Sequence, residues 1–133
     1  MTRPTPEITA INRPYWDGLA EGALRFQRCD GCGHAWLPPR SHCPACLGAH
    51  TRWEAASGGG RIVSWVVYHR AYAPHLQGRI PYNVAIVVLD EGPRLLTNIT
   101  DSATGEGFAT GAPVDLTIEE DDGLHLPRFR LRA

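Results

Sequence analysis

The 133-residue chain contains no lysine; all 13 of its basic residues are arginine. Without a side-chain amine it cannot form an imine with a substrate or cofactor, which excludes the lysine-imine aldolase and pyridoxal-phosphate mechanisms. Long apolar runs are also missing: none approaches the roughly 20 residues of a membrane helix. The start, MTRPTPEITA, lacks the apolar stretch of a secretory signal. A cytoplasmic protein is therefore expected. Serine is scarce, at Ser41, Ser57, Ser64 and Ser102, and none lies in a Gly-x-Ser-x-Gly elbow. Neither sign of charge dominates, with a net charge of −1, so the chain is neither a bulk neutraliser of nucleic acid nor an acidic tail. Its 43% hydrophobic and 20% charged residues are those of an ordinary globular protein. The length fits one compact domain, or a small module attached to a slightly larger one.

All four cysteines fall in CDGCGHAWLPPRSHCPAC, residues 29–46, as two Cys-x-x-Cys pairs separated by ten residues. Disulfides are rare in a reducing compartment, and two such hairpins set face to face place four thiolates at the corners of a tetrahedron. Cys29, Cys32, Cys43 and Cys46 are thus candidate ligands of a structural zinc, with iron the other metal this motif holds. Gly31, Gly33 and Gly48 are expected to supply positive-φ turns around the sulfurs. His34 and His42 lie nearby, but the quartet is complete without them. A thioredoxin-type redox role would need one pair on a strand-to-helix turn, whereas the flanks here are loop-like.

Before the cysteines, Asn12, Pro14 and Gly22 fit the cap, first turn and end of a short helix. Trp16, Leu19, Ala20 and Ala23 form one apolar stripe on it. Tyr15 and Trp16 then face either the chain's own domain or a partner. After the cysteines, SGGG (57–60) reads as a hinge or tight turn between modules. From Arg61 onward the pattern is all β: RIVSWVVYHRAY, YNVAIVVLDE, PRLLTNIT, APVDLTIEE and LPRFRLRA, with turns at 91–93 and 121–123. Five strands without a substantial helix fit a small barrel of the oligonucleotide/oligosaccharide-binding (OB) type. The fold expected is therefore mainly β: an N-terminal extension and helix (1–22), a rubredoxin-like zinc ribbon (23–57) and a five-stranded OB-fold barrel (58–133). The glycine-rich segment 102–111 is too short for the usual capping helix, so the ribbon or the N-terminal helix is expected to close that end.

In this order the motifs YWDGLAEGALRFQRCDGCG, WLPPRSHCPAC, SGGGRIVSWVVYHR, PYNVAIVVLDEGPRLLTNI, GAPVDLTIEE and LPRFR resemble one family across residues 12 to 131. It is the zinc-ribbon OB-fold family associated with acyl-CoA enzymes, or domain of unknown function 35. Two departures are Leu131, where the family commonly has proline, and the small loop at 102–111. The resemblance implies a non-catalytic scaffold subunit of a thiolase-like or ketosynthase-like enzyme that makes or breaks carbon–carbon bonds on acyl-CoA. It also implies a barrel that helps form the CoA channel. Some relatives pair with hot-dog-type hydratases, including assemblies that shorten steroid side chains by retro-aldol cleavage.

Candidate contact residues cluster in YHRAYAPHLQGRIPYN (68–83), between the first two barrel strands, a loop that borders the ligand face in such barrels. Arg70 and Arg79 are suited to CoA phosphates, and Tyr72, His75 and Tyr82 to adenine or to a partner. The other reading of this loop is a solvated connection. His69 and His75 have no orienting carboxylate near them in sequence, which disfavours a general base. Glu119 to Gly123 lack the spacing of a calcium loop and read as a solvated turn. Arg128, Arg130 and Arg132 alternate along the last strand and face acidic partner surface, CoA or water. The alternative function is a single-stranded nucleic-acid binder, which needs a basic groove with exposed aromatics. The near-neutral charge and the spread of Asp90, Glu91, Asp115 and Glu119 to Asp122 over the barrel argue against it.

Overall fold

A computed structural model describes residues 3–132; residues 1, 2 and 133 of the outer segments lie outside the described residues. Chain order is helix α1 (Arg13–Ala20), strands β1 (Arg25–Cys29), β2 (Ala35–Trp36) and β3 (Thr51–Ala55), then β4 (Gly59–Tyr68), β5 (Tyr82–Leu89), β6 (Arg94–Thr97), β7 (Pro113–Asp121) and β8 (Leu124–Leu131). Among the described residues no helix is long and apolar enough to cross a membrane.

Helix α1 ends as its sequence dictates. Gly22 takes φ 90°, its N–H bonds the Leu19 carbonyl, and Ala23 N–H bonds the Gly18 carbonyl at 2.8 Å. This paired closure uses orphan carbonyls that a helix end otherwise leaves open. The start differs from expectation. Asn12 holds the cap position, but its side-chain oxygen accepts from the Thr9 N–H at 2.7 Å, one turn earlier, and caps no helical amide.

Strands β2, β1 and β3 make an antiparallel three-stranded ribbon, and the other five make a sheet ordered β6-β5-β4-β7-β8. A parallel bridge between Ile99 and Phe129 brings the β6 end onto β8, so the sheet curls into a nearly closed barrel. Its core joins Ile62, Val87, Ile99, Val114 and Phe129 to Leu19 of the helix and Leu24 of the following turn. The N-terminal helix thus shares the barrel's core, as the missing capping helix suggested, and Phe108 from the 102–111 loop packs edge-on against Trp65.

Of the two readings of the glycine triplet, hinge or tight turn, the structure favours a turn, at Gly58 with φ 105°. Gly59 and Gly60 lie inside β4, and a Cβ on Gly60 would sit 2.8 Å from both Val87 Cγ1 and the Val88 carbonyl oxygen. Glycine is required there because two strands approach closely. Gly60→Ala is expected to cost about 1–3 kcal/mol as overpacking, read as a lower denaturant midpoint at unchanged slope; an unchanged midpoint would mean the strands part freely.

Candidate metal centre and exposed surfaces

Two backbone knuckles present the cysteines. In the first, the Gly31 and Cys32 amides donate to Cys29 Sγ at 3.3 and 3.4 Å; in the second, the Ala45 and Cys46 amides donate to Cys43 Sγ at 3.4 and 3.5 Å. Each knuckle closes at the residue after its second cysteine, where φ is positive: Gly33 at 79° and Leu47 at 65°. The expectation for Gly31 and Gly48 is therefore corrected, since neither has positive φ. Gly48 instead makes room: a Cβ there would lie 3.3 Å from Cys46 Sγ and 3.7 Å from Cys29 Sγ.

The four sulfurs lie within 4.8 Å of one another, with Cys29–Cys46 at 3.6 Å and Cys32–Cys43 at 3.7 Å. Zinc–sulfur bonds of about 2.3 Å in a tetrahedron require sulfurs about 3.8 Å apart, so the residues fit zinc. The Cys32 amide, followed by that of Gly31, holds the Cys29 thiol down at about 7 against the opposing effect of burial. Amide donors thus favour the thiolate that a metal needs. With four protein sulfurs the ion has no open position for water or substrate, which makes it structural.

Gln27 locks the spacer between the knuckles and was not legible as a functional residue. Its buried amide oxygen accepts from Trp36 Nε1 (3.1 Å) and the Arg40 N–H (2.7 Å), and its nitrogen donates to the Arg40 carbonyl. A polar residue between Phe26 and Arg28 on a short strand is the only signal the sequence carries. His34 stacks on Trp36, and His42 Nδ1 lies 2.9 Å from the Ser41 hydroxyl; neither joins the quartet.

The contact residues expected from sequence divide into three places. Tyr15 and Trp16 meet edge to face at 5.1 Å, packed against the core and lining an apolar groove of about 710 Å³. Burial, offset in part by the charge of Arg128, pushes the Tyr15 hydroxyl up to about 12. The groove's other walls are the Leu37–Pro39 corner of the ribbon and Ile86 and Leu96 of the barrel. Tyr72 and Tyr82 flank Tyr68, with Tyr82 stacked at 5.2 Å and Tyr72 edge-on at 5.7 Å, and the Arg70 guanidinium lies over the Tyr72 ring. His75 sits in the turn Pro74–Leu76. Arg79 is set apart from Arg70: both its terminal nitrogens bond Asp121, at 2.7 and 3.1 Å, and Arg3 binds the same carboxylate. Asp121 is accordingly held far below the usual carboxylate range, first by Arg79 and then by Arg3. Of the arginines at the chain's end, Arg132 binds Asp115 at 2.8 Å and Arg128 lies beside Glu119, while Arg130 is exposed with no ion pair among the described residues.

Fold and site together define a two-module protein, a closed four-cysteine ribbon built onto an OB barrel. Residues 16–51 match the family described as the ChsH2 rubredoxin-like zinc ribbon domain, and residues 53–119 match the ChsH2 C-terminal OB-fold domain. A probable enoyl-CoA hydratase alpha subunit of Thermomonospora curvata is 36% identical over 129 residues, 96% of this chain and 40% of the relative. The 3-oxo-4,17-pregnadiene-20-carboxyl-CoA hydratase alpha subunit of Mycobacterium tuberculosis is 34% identical over 77% of this chain and 32% of its own length. This chain therefore spans well under half of either alpha subunit. A scaffold protein of Pyrococcus furiosus with a domain of unknown function 35 (DUF35) is 29% identical, covering 89% of each chain. Among solved structures, the Ltp2-ChsH2(DUF35) aldolase superposes with a TM-score of 0.82 at 34% identity, covering 96% of this chain and 98% of the other. The chain belongs to the ChsH2, or DUF35, family of zinc-ribbon OB-fold proteins.

Proposed function

We propose that this chain is a non-catalytic accessory subunit that binds a thiolase-like or ketosynthase-like acyl-CoA enzyme and helps form its CoA and substrate channel. The observation that carries the reading is the apolar groove shared by helix, ribbon and barrel. It is a recognition surface, and beside it the cysteines are a closed set with no reactive position. The aldolase named with the superposed structure supports carbon–carbon bond chemistry in the partner, and the pregnadiene relative supports a steroid side chain as its acyl group. The hydratase alpha subunits support a hot-dog-type hydratase as a further partner. Arg70 and Tyr72, exposed beside Tyr68, are the residues best placed to meet the CoA thioester. Arg79, turned to Asp121, is better placed to fix the loop that carries them. Single-stranded nucleic acid fits less well, because Glu119, Glu120 and Asp121 crowd the charged hollow beside Tyr82.

The test is to purify the chain alone and co-expressed with a thiolase-like acyl-CoA enzyme. The pair is expected to co-elute and the isolated chain to show no turnover of acyl-CoA. Cleavage or hydrolysis by the isolated chain would overturn the scaffold reading, and sub-micromolar binding of a labelled oligonucleotide at physiological salt would replace it.

A further inference from the structure

The outer face of an antiparallel sheet normally carries polar residues where water meets it. On strands β4, β5 and β6 polar residues are confined mostly to its two ends, and the middle is largely apolar. Cross-strand register sets Ser64, Ile86 and Leu96 in one row, Val66 with Val84 in the next, and Tyr68 with Tyr82 beyond. Val66 is 51% exposed and Leu96 69% exposed, so this apolar surface lies open. Their partners are equally apolar: the inward set of β5, Asn83, Ala85, Val87 and Leu89, is buried, while Val84, Ile86 and Val88 fill the outward set. Ile86 and Leu96 also line the groove under Trp16, so barrel face and groove form one continuous surface.

The charges on this face have one sign. Arg61, Val88 and Arg94 form its end row, and no carboxylate occupies any of these outward positions. Elsewhere Arg3, Arg25, Arg28, Arg52, Arg79, Arg128 and Arg132 pair with acids, whereas Arg13, Arg40, Arg70 and Arg130 have no ion pair among the described residues. Arg61 donates to the Gly111 carbonyl, and Arg94 has no ion pair among the described residues.

We infer that the outer face of β4–β6, together with the Trp16 groove, is the docking surface for the acyl-CoA enzyme subunit, and that the subunit presents an apolar patch with carboxylates opposite Arg61 and Arg94. This rests on the reading given under Proposed function and adds where the partner sits. Charge disfavours a second copy of this chain, since the face offers no acid to meet its own arginines. Aliphatic Val66, Val84, Ile86 and Leu96 decide against nucleic acid, which would set phosphate and sugar against them.

The experiment co-expresses the thiolase-like subunit with wild-type chain and with Val66→Glu, Leu96→Glu, Arg94→Glu and, as a control on the far loop, Thr104→Glu. Melting temperature and zinc content certify each fold. Val66→Glu and Leu96→Glu are expected to weaken the complex roughly 30-fold or more, the loss typical of a central interface contact. Arg94→Glu should weaken it most at low salt and reduce or reverse its salt dependence, while Thr104→Glu leaves it unchanged. Should Val66→Glu fail to fold, the two β6 variants read the same face. Wild-type affinity in folded Leu96→Glu and Arg94→Glu overturns the surface while leaving the scaffold reading intact. No binding by the wild type removes both. Self-association or oligonucleotide binding that these variants abolish would reassign the face to that occupant and so overturn the inference.

Discussion

Cys29→Ser is expected to take the protein from one bound zinc per chain to none, to unfold residues 29–50, and to abolish binding of the acyl-CoA enzyme in the same step. The size of the effect follows from how little else holds the ribbon. Its second strand has two residues, and the small buried cluster around the site consists of Trp36 and two of the metal-binding cysteines themselves. Zinc contributes on the order of 10–16 kcal/mol in small ribbons and fingers, well beyond what that cluster supplies. Serine at 29 removes one thiolate ligand and leaves a neutral hydroxyl in place of the sulfur that accepts from the Gly31 and Cys32 amides. The barrel is expected to survive, because Leu19 and Leu24, which join its core, precede the first knuckle. Partner binding goes because Leu37 to Pro39, one wall of the groove, hangs from the ribbon. Elemental analysis, limited proteolysis and co-purification read the three consequences separately. Zinc lost with proteolytic resistance and binding retained would show that the metal carries neither fold nor function.

Asn83→Ala should lower the melting temperature by roughly 10 °C or more, an unusual cost for a single polar side chain. Asn83 is buried at the seam where the barrel closes. Its amide nitrogen donates to the Ile99 and Ser102 carbonyls, each at 2.9 Å, and its oxygen accepts from the Ile99 N–H at 2.8 Å. Alanine leaves three backbone groups without that partner, at about 1–3 kcal/mol for each that stays buried and unsatisfied. Even the low end is a large part of a total stability of about 5–15 kcal/mol, and the temperature shift follows from the usual entropy of unfolding for this length. Asn83→Asp should be worse at neutral pH, because a carboxylate would face two carbonyl oxygens. Calorimetry decides. A shift of only one or two degrees for alanine would mean that water replaces the side chain and the seam is not closed by Asn83.

Much of the architecture could be read from the sequence because its causes are local. Ligand spacing in the two cysteine pairs, the Gly22 stop and the alternation in APVDLTIEE all act within a few residues. What escaped depends on residues far apart. The glycine triplet reads as a hinge or a tight turn until Val87 and Val88 are placed across it. Arg79 looks free for phosphate until Asp121, 42 positions away, is brought against it. Leu47 takes a conformation that its type disfavours because the second knuckle closes as the first does. YNVAIVVL is instructive in both directions. As a nearly unbroken apolar run it identifies a strand, but it hides which face is inside. Its single polar residue, Asn83, proves to be inside, and its outward valines and isoleucine mark a face lacking the polar residues that water would favour.

The bridge between Ile99 and Phe129 has a consequence for how such a protein is recognised. By bringing the two ends of the sheet together it spends main-chain donors and acceptors that an open sheet would offer at its margins. A visiting chain therefore finds less free main chain at this seam for adding a strand, the generic and largely sequence-blind mode of attachment. A partner that binds at this seam reads side chains more than main chain, so a short exposed row of valines, isoleucine and leucine becomes a selective address rather than a sticky edge.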